Sequence, residues 1–327
     1  MNALRSTLAA SLIAVGLTAA QPALAQTKQT FPTKPVRFIV GFSPGSATDI
    51  TARTFAPKLS EIWGQPVVIE NRSGAGSTLA NAMVAQATPD GHTLLVVSTS
   101  FAITAVLQGK GLPYDALRDF RGVSQFGSTT GALTVAPALG VKSAKEFIAL
   151  ARERPGKILF GSAGAGSGLH MSTERFNLAA GIKAVHVGFK GQPEMIIEIV
   201  TARVHYGWPG LGSVMPFIKD GRMLALAVNT PKRSPVLPDV PALVEILPNF
   251  ERDAAHALMA PAKTPTAIVR QVSKDVARVA EMPDVKERMS AISFDLATTT
   301  PEEYDKSVRK QIEIFTQVAK AAGLISK

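Results

Sequence analysis

The sequence predicts an α/β protein made of two lobes, each built from βαβ units around a parallel sheet. Short β-branched apolar runs alternate with helical stretches from Val36 onward, and such alternation is typical of βαβ units. The alternation restarts after Phe126. About 300 residues follow the leader described below, and with 46% apolar residues in the chain they suffice for two cores rather than one.

Each series consists of strands and helices in turn. The first is VRFIVGF, a helix over about 48–63 closed by Gly64, PVVIEN, a helix after Ser77, and HTLLVVS after the Asp90-Gly91 turn. The second is ALTVAP, a helix over 143–152, KILFGS, a helix over about 167–180, AVHVGF, a helix over 192–202, RVHYGW and LALAVN. The two series predict two sheets.

The C-terminal tail is predicted to be helical and to return to the first lobe, because only HALMAP in it resembles a strand. Thr264 and Pro265 are typical of an N-cap followed by proline at the first helical position. Thr300 and Glu303 predict a capping box for a later helix. The apolar face of that helix is Tyr304, Val308, Ile312 and Phe315.

The first 25 residues are typical of a cleaved signal peptide. Arg5 precedes an apolar run over residues 8–20, and Ala23-Leu24-Ala25 has the small-x-small pattern of a signal-peptidase site. The run is too short for a good transmembrane helix, and no later segment has about 18 consecutive apolar residues. We therefore expect an exported, periplasmic protein that begins at Gln26 after cleavage.

Composition excludes several classes of function. The chain has no cysteine, so lipidation at a lipobox thiol, disulfides and a thiol nucleophile are all excluded. The formal charge is +10, or +9 once the single charge of the leader is removed, but the basic residues are scattered, which argues against nucleic acid as a partner. We expect a monomer.

Enzyme and cofactor motifs are also missing from the sequence. There is no GxSxG or HExxH pattern. Gly164, Gly166 and Gly168 form GxGxG rather than the dinucleotide pattern GxGxxG, and no acid follows about twenty residues later to hold a ribose. We therefore expect no catalytic residue, no metal and no cofactor.

The segment GFSPGSATD is the first candidate binding site. A strand ends at Phe42, a Pro-Gly turn follows, and Ser46, Ala47, Thr48 and Asp49 open the next helix. Backbone N–H groups at such a helix start attract a carboxylate or phosphate. Ordinary capping of a surface helix is the alternative, and Asp49 fits a capping role better than contact with an anion.

The segment LFGSAGAGSGLH repeats this arrangement in the other lobe. Ser162, Ala163, Ser167 and His170 lie in a Gly/Ser-rich turn between a strand and a helix. In α/β sheets, ligands bind beyond the carboxyl ends of strands at such turns. The two turns together predict a cleft that closes on a small anion, with His170 either structural or polarising the ligand.

Two further strand ends supply candidate residues. Phe189 and Lys190 follow AVHVG, and Lys190 either attracts the anion or is a solvated surface lysine. Trp208 and Pro209 follow RVHYG. Trp208 is either a core residue or an apolar wall against the carbon skeleton of the ligand.

The order of these motifs resembles the Bug (Bordetella uptake gene) family, also called TctC-like proteins. The resemblance rests on FPTKPVRFIVGFSPGSATDITAR, PKLSEIWGQPVVIENRSGAGST, ATPDGHTLL, LPYDALRDF, GSAGAGSGLH, HVGFKG, IKDGRMLALAVNTPKRSPVLPDVP and APAKTP. It covers essentially the whole chain after the leader. Members of this family are the periplasmic solute receptors of tripartite tricarboxylate transporters.

The resemblance implies a type II periplasmic-binding-protein fold, with two βαβ lobes and a ligand cleft between them. Lobe 1 would be discontinuous, over 26–127 and 253–327, and lobe 2 would span 128–252. It also implies capture of a small carboxylate, a dicarboxylate or an aromatic acid, and delivery to integral-membrane permease subunits. The serine strand end of the family corresponds here to Ser98, Thr99 and Ser100.

Three departures from the family pattern bear on the ligand. PGSATD stands where the family usually has PGGGTD, and Phe189 stands where it usually has tyrosine. Pro209 replaces an acid that faces the pocket in the family, which points to an apolar or aromatic acid rather than an amino acid. We therefore predict a non-enzymatic receptor, with a periplasmic sensor feeding a signalling partner or an exported hydrolase as the alternatives.

Overall fold

A computed structural model describes residues 31–248, 250 and 256–326. The predicted signal peptide, residues 1–25, lies outside the described residues, and so does the predicted lobe boundary between residues 252 and 253. Within the described ranges, no helix is long and apolar enough to cross a membrane.

The strands are β1 (Val36–Val40), β2 (Val67–Asn71), β3 (Thr93–Val97), β4 (Phe120–Thr129), β5 (Ala132–Val135), β6 (Leu159–Ser162), β7 (Val185–Gly188), β8 (Tyr206–Gly207), β9 (Leu224–Val228), β10 (His256–Pro261) and β11 (Phe294–Leu296). The α-helices are α1 (Ala47–Trp63), α2 (Thr78–Ala85), α3 (Ser100–Gln108), α4 (Ala144–Glu153), α5 (Gly168–Ala180), α6 (Gln192–Val200), α7 (Leu211–Lys219), α8 (Thr266–Ala280), α9 (Pro283–Ala291) and α10 (Pro301–Ala321).

These strands form two sheets, which confirms the predicted α/β class. The first has the order β11-β4-β10-β3-β1-β2 and the second the order β7-β6-β8-β5-β9. Both sheets are mixed rather than parallel, because β10 runs antiparallel between β3 and β4, and β5 runs antiparallel to β8 and β9. Helices on the sheets bury separate apolar clusters against each of them.

The first helix shows why the local predictions succeed. Ser46 caps α1 by accepting a hydrogen bond from the Asp49 amide, and Gly64 ends it with φ 64°. Ala52, Phe55 and Leu59 form its buried face against the first sheet. These contacts fix the start of α1, and with it the turn that follows β1.

The tail matches the prediction only in part. The Thr300 capping box of α10 is confirmed. The proposed Thr264 cap is wrong, because Pro265 is the N-cap of α8 and no described residue bonds the buried Thr264 hydroxyl. Helix α8 packs on α1 and β4 of the first sheet, as expected.

Helix α10 packs on β4 and α3, but it also contacts α5 of the second series. Ala102 and Ile103 of α3, Met171 of α5, and Phe315, Val318 and Ala319 of α10 are buried together, and we call them the bridge cluster. The limits of the lobes stay a prediction. Thr129, beyond the predicted limit at residue 127, still pairs with Phe294 in the first sheet.

Candidate functional site

A cavity of about 700 Å³ opens where the two sheets face each other. Residues that follow β1, β3, β6, β8 and β9 line it, as expected for strand ends in an α/β protein. The lining residues are Phe42, Ala47, Ser98, Thr99, Ser100, Ser128, Thr129, Gly131, Ala163, Ser167, Gly168, Leu169, Ser172, Gln192, Trp208, Gly210, Gly212, Ser213, Asn229, Phe250, His256, Ala291 and Ile292.

The structure brings part of the predicted site to this cavity. The predicted residues that line it are Phe42, Ala47, Ser98, Thr99, Ala163, Ser167 and Trp208. The predicted residues outside its lining are Ser46, Thr48, Asp49, Ser162, His170, Phe189, Lys190 and Pro209. Several residues of this second group hold the cavity walls in place from behind.

Asp49 braces the turn after β1 through hydrogen bonds. Its carboxylate accepts from the Gly45 amide at 2.9 Å, from Arg53 Nε at 3.0 Å and from Asn71 Nδ2 at 2.8 Å. The Asn71 amide also donates to the carbonyl of Phe42, so the turn is tied to β2. Burial alone would raise the pKa of Asp49, but these hydrogen bonds lower it. Asp49 is thus an ionised capping group.

His256 stands behind the same turn and also lines the cavity. Thr51 donates its hydroxyl to the Ala47 carbonyl, so its oxygen, 2.9 Å from His256 Nδ1, accepts the Nδ1 proton. His256 Nε2 then accepts from Thr48, whose hydroxyl oxygen lies 3.4 Å away. Burial lowers the pKa of His256 to about 4, so the ring is neutral near pH 7.

The turn after β6 is braced by a serine and two histidines. Ser162 Oγ lies 2.7 Å from His186 Nε2 and accepts from the Gly164 amide at 3.1 Å. The Gly166 amide donates to His170 Nδ1 at 3.0 Å. The two imidazole rings stack with centroids 3.7 Å apart. Burial, followed by the charge His170 would carry, lowers the pKa of His186 to about 4.

Helix starts supply the polar character of the cavity. Ala47 of α1, Ser100 of α3, Gly168 of α5 and Gly212 of α7 all line it. Unpaired N–H groups at a helix start favour an anion. The first turns of α3, α5 and α7 contain no acidic residue that would compete for them. Ser167 caps α5 by accepting from the amide of His170.

Three of the predicted site residues do not line the cavity: Phe189, Lys190 and Pro209. Phe189 packs against the apolar cluster of the second sheet. Lys190 is exposed, and its backbone amide donates to Glu194 at 3.0 Å. Pro209 is buried, and its carbonyl accepts from Ala132 at 3.1 Å.

The wall of the cavity around Trp208 is apolar. Trp208 is 6% exposed, packs edge-on against Phe176 at 5.5 Å, and lines the cavity near Phe250. Its buried Nε1–H finds no partner among the described residues. The described lining residues include no Asp, Glu, Lys or Arg, so His256 is their one titratable side chain. Nor do the described residues include a cluster of side chains suited to a metal ion.

Sequence reasoning missed the polar residues on the far side of the cavity and His256. Gln192, Ser213 and Asn229 come from α6, α7 and the residue after β9, so no local motif joins them. One signal was available, since Asn229 ends the predicted strand LALAVN and the other site residues also lie at strand ends.

Comparison with known proteins identifies the family. The profile described as "Tripartite tricarboxylate transporter family receptor" matches residues 51–324. Protein BugT of Bordetella pertussis is 29% identical over 315 residues, which cover 96% of this chain and 97% of BugT.

Solved structures agree with the sequence matches. An R. palustris protein, solved with adipate, is 32% identical with a TM-score of 0.72, over 90% of this chain and 98% of that one. MatC from Rhodopseudomonas palustris, with bound malate, is 29% identical with a TM-score of 0.68, over 88% of this chain and 99% of that one. The chain therefore belongs to the TctC, or Bug, family of periplasmic solute-binding receptors.

Proposed function

We propose that this protein captures a small carboxylate, either a dicarboxylate or an aromatic acid, and delivers it to the integral-membrane permease subunits of a tripartite tricarboxylate transporter. Export would depend on the signal peptide over residues 1–25. The ligand would bind between lobe 1, over 26–127 and 253–327, and lobe 2, over 128–252.

One observation carries the proposal: the cavity presents helix starts and hydroxyl groups but no charged side chain among its described lining residues. Neutral donors replace the hydration of a carboxylate without gripping it as tightly as a buried ion pair would. A carrier must release its ligand, so this donor set suits reversible capture. The relatives solved with adipate and malate support the same class of ligand.

The cavity also supports a carrier over an enzyme. His256 is neutral, its Nδ1–H is engaged by Thr51, and its Nε2 lies beside the Thr48 hydroxyl. A general base needs a free nitrogen within reach of the proton that it removes. Closure of the two lobes over the anion would bury it and present a closed shape for the permease to recognise.

Thermal unfolding of the purified protein tests the proposal. The panel contains mono-, di- and tricarboxylates, aromatic acids, amino acids, and neutral amides of the same carbon skeletons as controls. A ligand at about 100 times its dissociation constant should add about 2.7 kcal/mol to the free energy of unfolding, which raises the melting temperature by several degrees. We expect a shift with one carboxylate class and none with its amides.

A flat response to every carboxylate would contradict the proposal. Turnover of simple esters would favour a hydrolase instead. Ligand-dependent binding to a histidine kinase, with no effect on uptake when the permease genes are deleted, would favour the sensor.

A further inference from the structure

The edge of the second sheet that lies opposite the cavity is basic. Strands β7, β6 and β8 run parallel to one another, so they all begin at this same edge. The cavity lies at the other end of β6 and β8, where Ala163 and Trp208 follow the two strands. A cation precedes each strand, namely Lys183 before β7, Lys157 before β6 and Arg203 before β8. The fold thus collects at one edge charges that come from separate parts of the sequence.

Backbone pairing places the first two of these cations side by side. Leu159 of β6 pairs with Val185 of β7 in the parallel register. The same register continues back toward the start of both strands, where the Gly156 amide donates to the Lys183 carbonyl at 2.7 Å. Lys157 and Lys183 therefore occupy matching positions on neighbouring strands, which lie about 5 Å apart.

Two arginines at the end of α4 extend this basic edge. The Lys157 amide donates to the Arg154 carbonyl at 3.1 Å, so a tight turn keeps Arg154 close to the start of β6. Burial lowers the pKa of His205 just before β8, and the positive charge of Arg154 lowers it further, so Arg154 lies near that strand as well. Arg152 Nε donates to the Ala180 carbonyl at the end of α5, at 2.7 Å. We call the four exposed cations the basal patch: Arg152, Arg154, Lys157 and Lys183.

Carboxylates of the protein do not neutralise the basal patch. None of its four side chains forms an ion pair with a described residue, whereas the exposed Arg233 is paired with Glu245 at 2.8 Å. The neighbouring Arg203 is paired with Glu198 at 2.7 Å. Glu153 is the one acid in the sequence over 152–157 and 181–183, so four cations and one acid leave a net charge of +3 there. Such a concentration of one sign of charge attracts an anionic partner.

The position of the basal patch indicates which kind of partner it suits. Its residues belong to α4 and to the turns before β6 and β7, and the apolar residues of these elements are buried in one cluster. A movement of one sheet relative to the other would therefore leave the patch unchanged. Lys157 is also six residues of extended chain, about 20 Å, from Ala163 at the cavity. A permease needs a surface that differs between the empty and the loaded receptor, so the patch suits a partner that does not read the ligand.

We propose that the basal patch holds the protein against an anionic phospholipid membrane, through Arg154, Lys157 and Lys183. Exposed Lys and Arg side chains are attracted to such a surface without needing a shaped pocket. Arg152 adds its charge while its Nε stays bonded to the end of α5. This attraction goes beyond the proposed function and concentrates the receptor at the membrane whether or not a ligand is bound. An acidic segment of a protein partner is the alternative that the experiment separates.

Sedimentation of the purified protein with lipid vesicles tests the proposal. One set of vesicles contains phosphatidylethanolamine and phosphatidylglycerol at about 7 to 3, and the other replaces phosphatidylglycerol with neutral phosphatidylcholine. We expect binding to the anionic set alone, with a loss of about 10-fold or more between about 0.05 and 0.5 M salt. Equal binding to both sets, binding insensitive to salt, or no binding to the anionic set at low salt would each overturn the proposal.

A triple variant locates the surface that binds. Arg154→Gln, Lys157→Gln and Lys183→Gln together remove three charges from exposed side chains and keep Arg152 on α5. Each Lys or Arg near an anionic membrane contributes about 5-fold in affinity, so we expect the triple variant to bind about 100-fold more weakly. Its affinity for carboxylates should not change, because the patch lies away from the cavity.

A second triple variant separates the patch from the net charge of the protein. Lys306→Gln, Arg309→Gln and Lys320→Gln remove the same charge from the exposed face of α10 and should weaken vesicle binding by less than about 5-fold. Equal losses in the two variants would overturn the proposal. Binding that requires permease subunits in the vesicles would assign the patch to an acidic protein segment and overturn it too. Melting temperatures show whether both variants fold, and the salt dependence of the unaltered protein decides the matter if one does not.

Discussion

The two turns that face each other across the cavity present backbone donors in a similar way but are braced by different chemistry. Behind the turn after β1 lies an ionised carboxylate, Asp49, that is 3% exposed at its side chain and paired with Arg53. Behind the turn after β6 lie two stacked imidazoles, His170 and His186, with Ser162. A charge can stand close to the proposed anion site when its own cation neutralises it, and hydroxyl and imidazole groups brace the other turn instead.

Removing the charged brace should have the largest effect. Asp49→Ala leaves the donors of Gly45, Asn71 and Arg53 without their acceptor. Loss of one partner of a buried pair costs about 3–5 kcal/mol, and since Arg53 is 46% exposed we expect about 2–3 kcal/mol. Denaturant unfolding measures this loss.

Asp220→Ala is the matched control for that loss. Asp220 is exposed and lies 4.0 Å from Arg222, so its removal should cost less than about 0.5 kcal/mol. Equal losses in the two variants would show that Asp49 does not brace the turn.

As pH falls, the stability contributed by His256 should be lost before the stability contributed by Asp49. The folded pKa of His256 is about 4, below its ordinary value of 6.5, so the unfolded chain binds the proton first as pH falls. The stability contributed by neutral His256 is therefore complete above pH 6.5 and is lost progressively down to about pH 4, a loss of about 3 kcal/mol.

Asp49 behaves differently in the same titration. Its pKa is lowered below 3.8, so its contribution is present above that pH and is lost only as pH falls further. Unfolding free energies measured between pH 7 and 4 should thus report the buried histidines. His256→Gln should flatten that profile, and an unchanged slope would contradict the assignment.

The smallest expected losses of stability come from removing one hydroxyl behind each turn, that of Ser162 and that of Thr48. Ser162→Ala removes contacts of 2.7 Å and 3.1 Å at a fully buried site and should cost about 1–2 kcal/mol. Thr48→Ala removes a longer contact of 3.4 Å to His256 and should cost less than about 1 kcal/mol. Melting temperature and carboxylate affinity would be measured for both, and a larger loss in Thr48→Ala would reverse the ranking.

Local patterns predicted the elements whose sequence carries their own signals. Helix α1 begins at a serine cap and ends at a glycine in the left-handed region, so its limits could be predicted closely. Helix α3, SFAITAVLQ, is mostly apolar and shows no clear periodicity. Strand β4 contains two glycines and two serines, and it is held by β10 and β11, which come more than a hundred residues later. Such support from distant strands gives no signal in the local sequence.

The same limit applies to the site. The turns after β1 and β6 could be found because strand, turn and cap are adjacent in sequence. The roles of Thr48, Ser162 and His170 could not, since their partners include His256 and His186 from other elements. A hydroxyl or carboxylate in a turn can face the ligand or the scaffold, and only the packing decides.

The bridge cluster would make the C-terminal helix part of the closure that the proposed function requires. Phe315 and Val318 of α10 are buried with Ile103 of α3 and Met171 of α5, so α10 joins these two helices. A rotation of one sheet relative to the other that kept this contact intact would have its axis at the bridge cluster. Displacement would then grow with distance from the bridge cluster, so Ser172, next to Met171, and Ser100, two residues from Ala102, would move least. The carboxyl end of β3 would therefore move little, because the helix that follows it is held by α10, about 200 residues later in the chain.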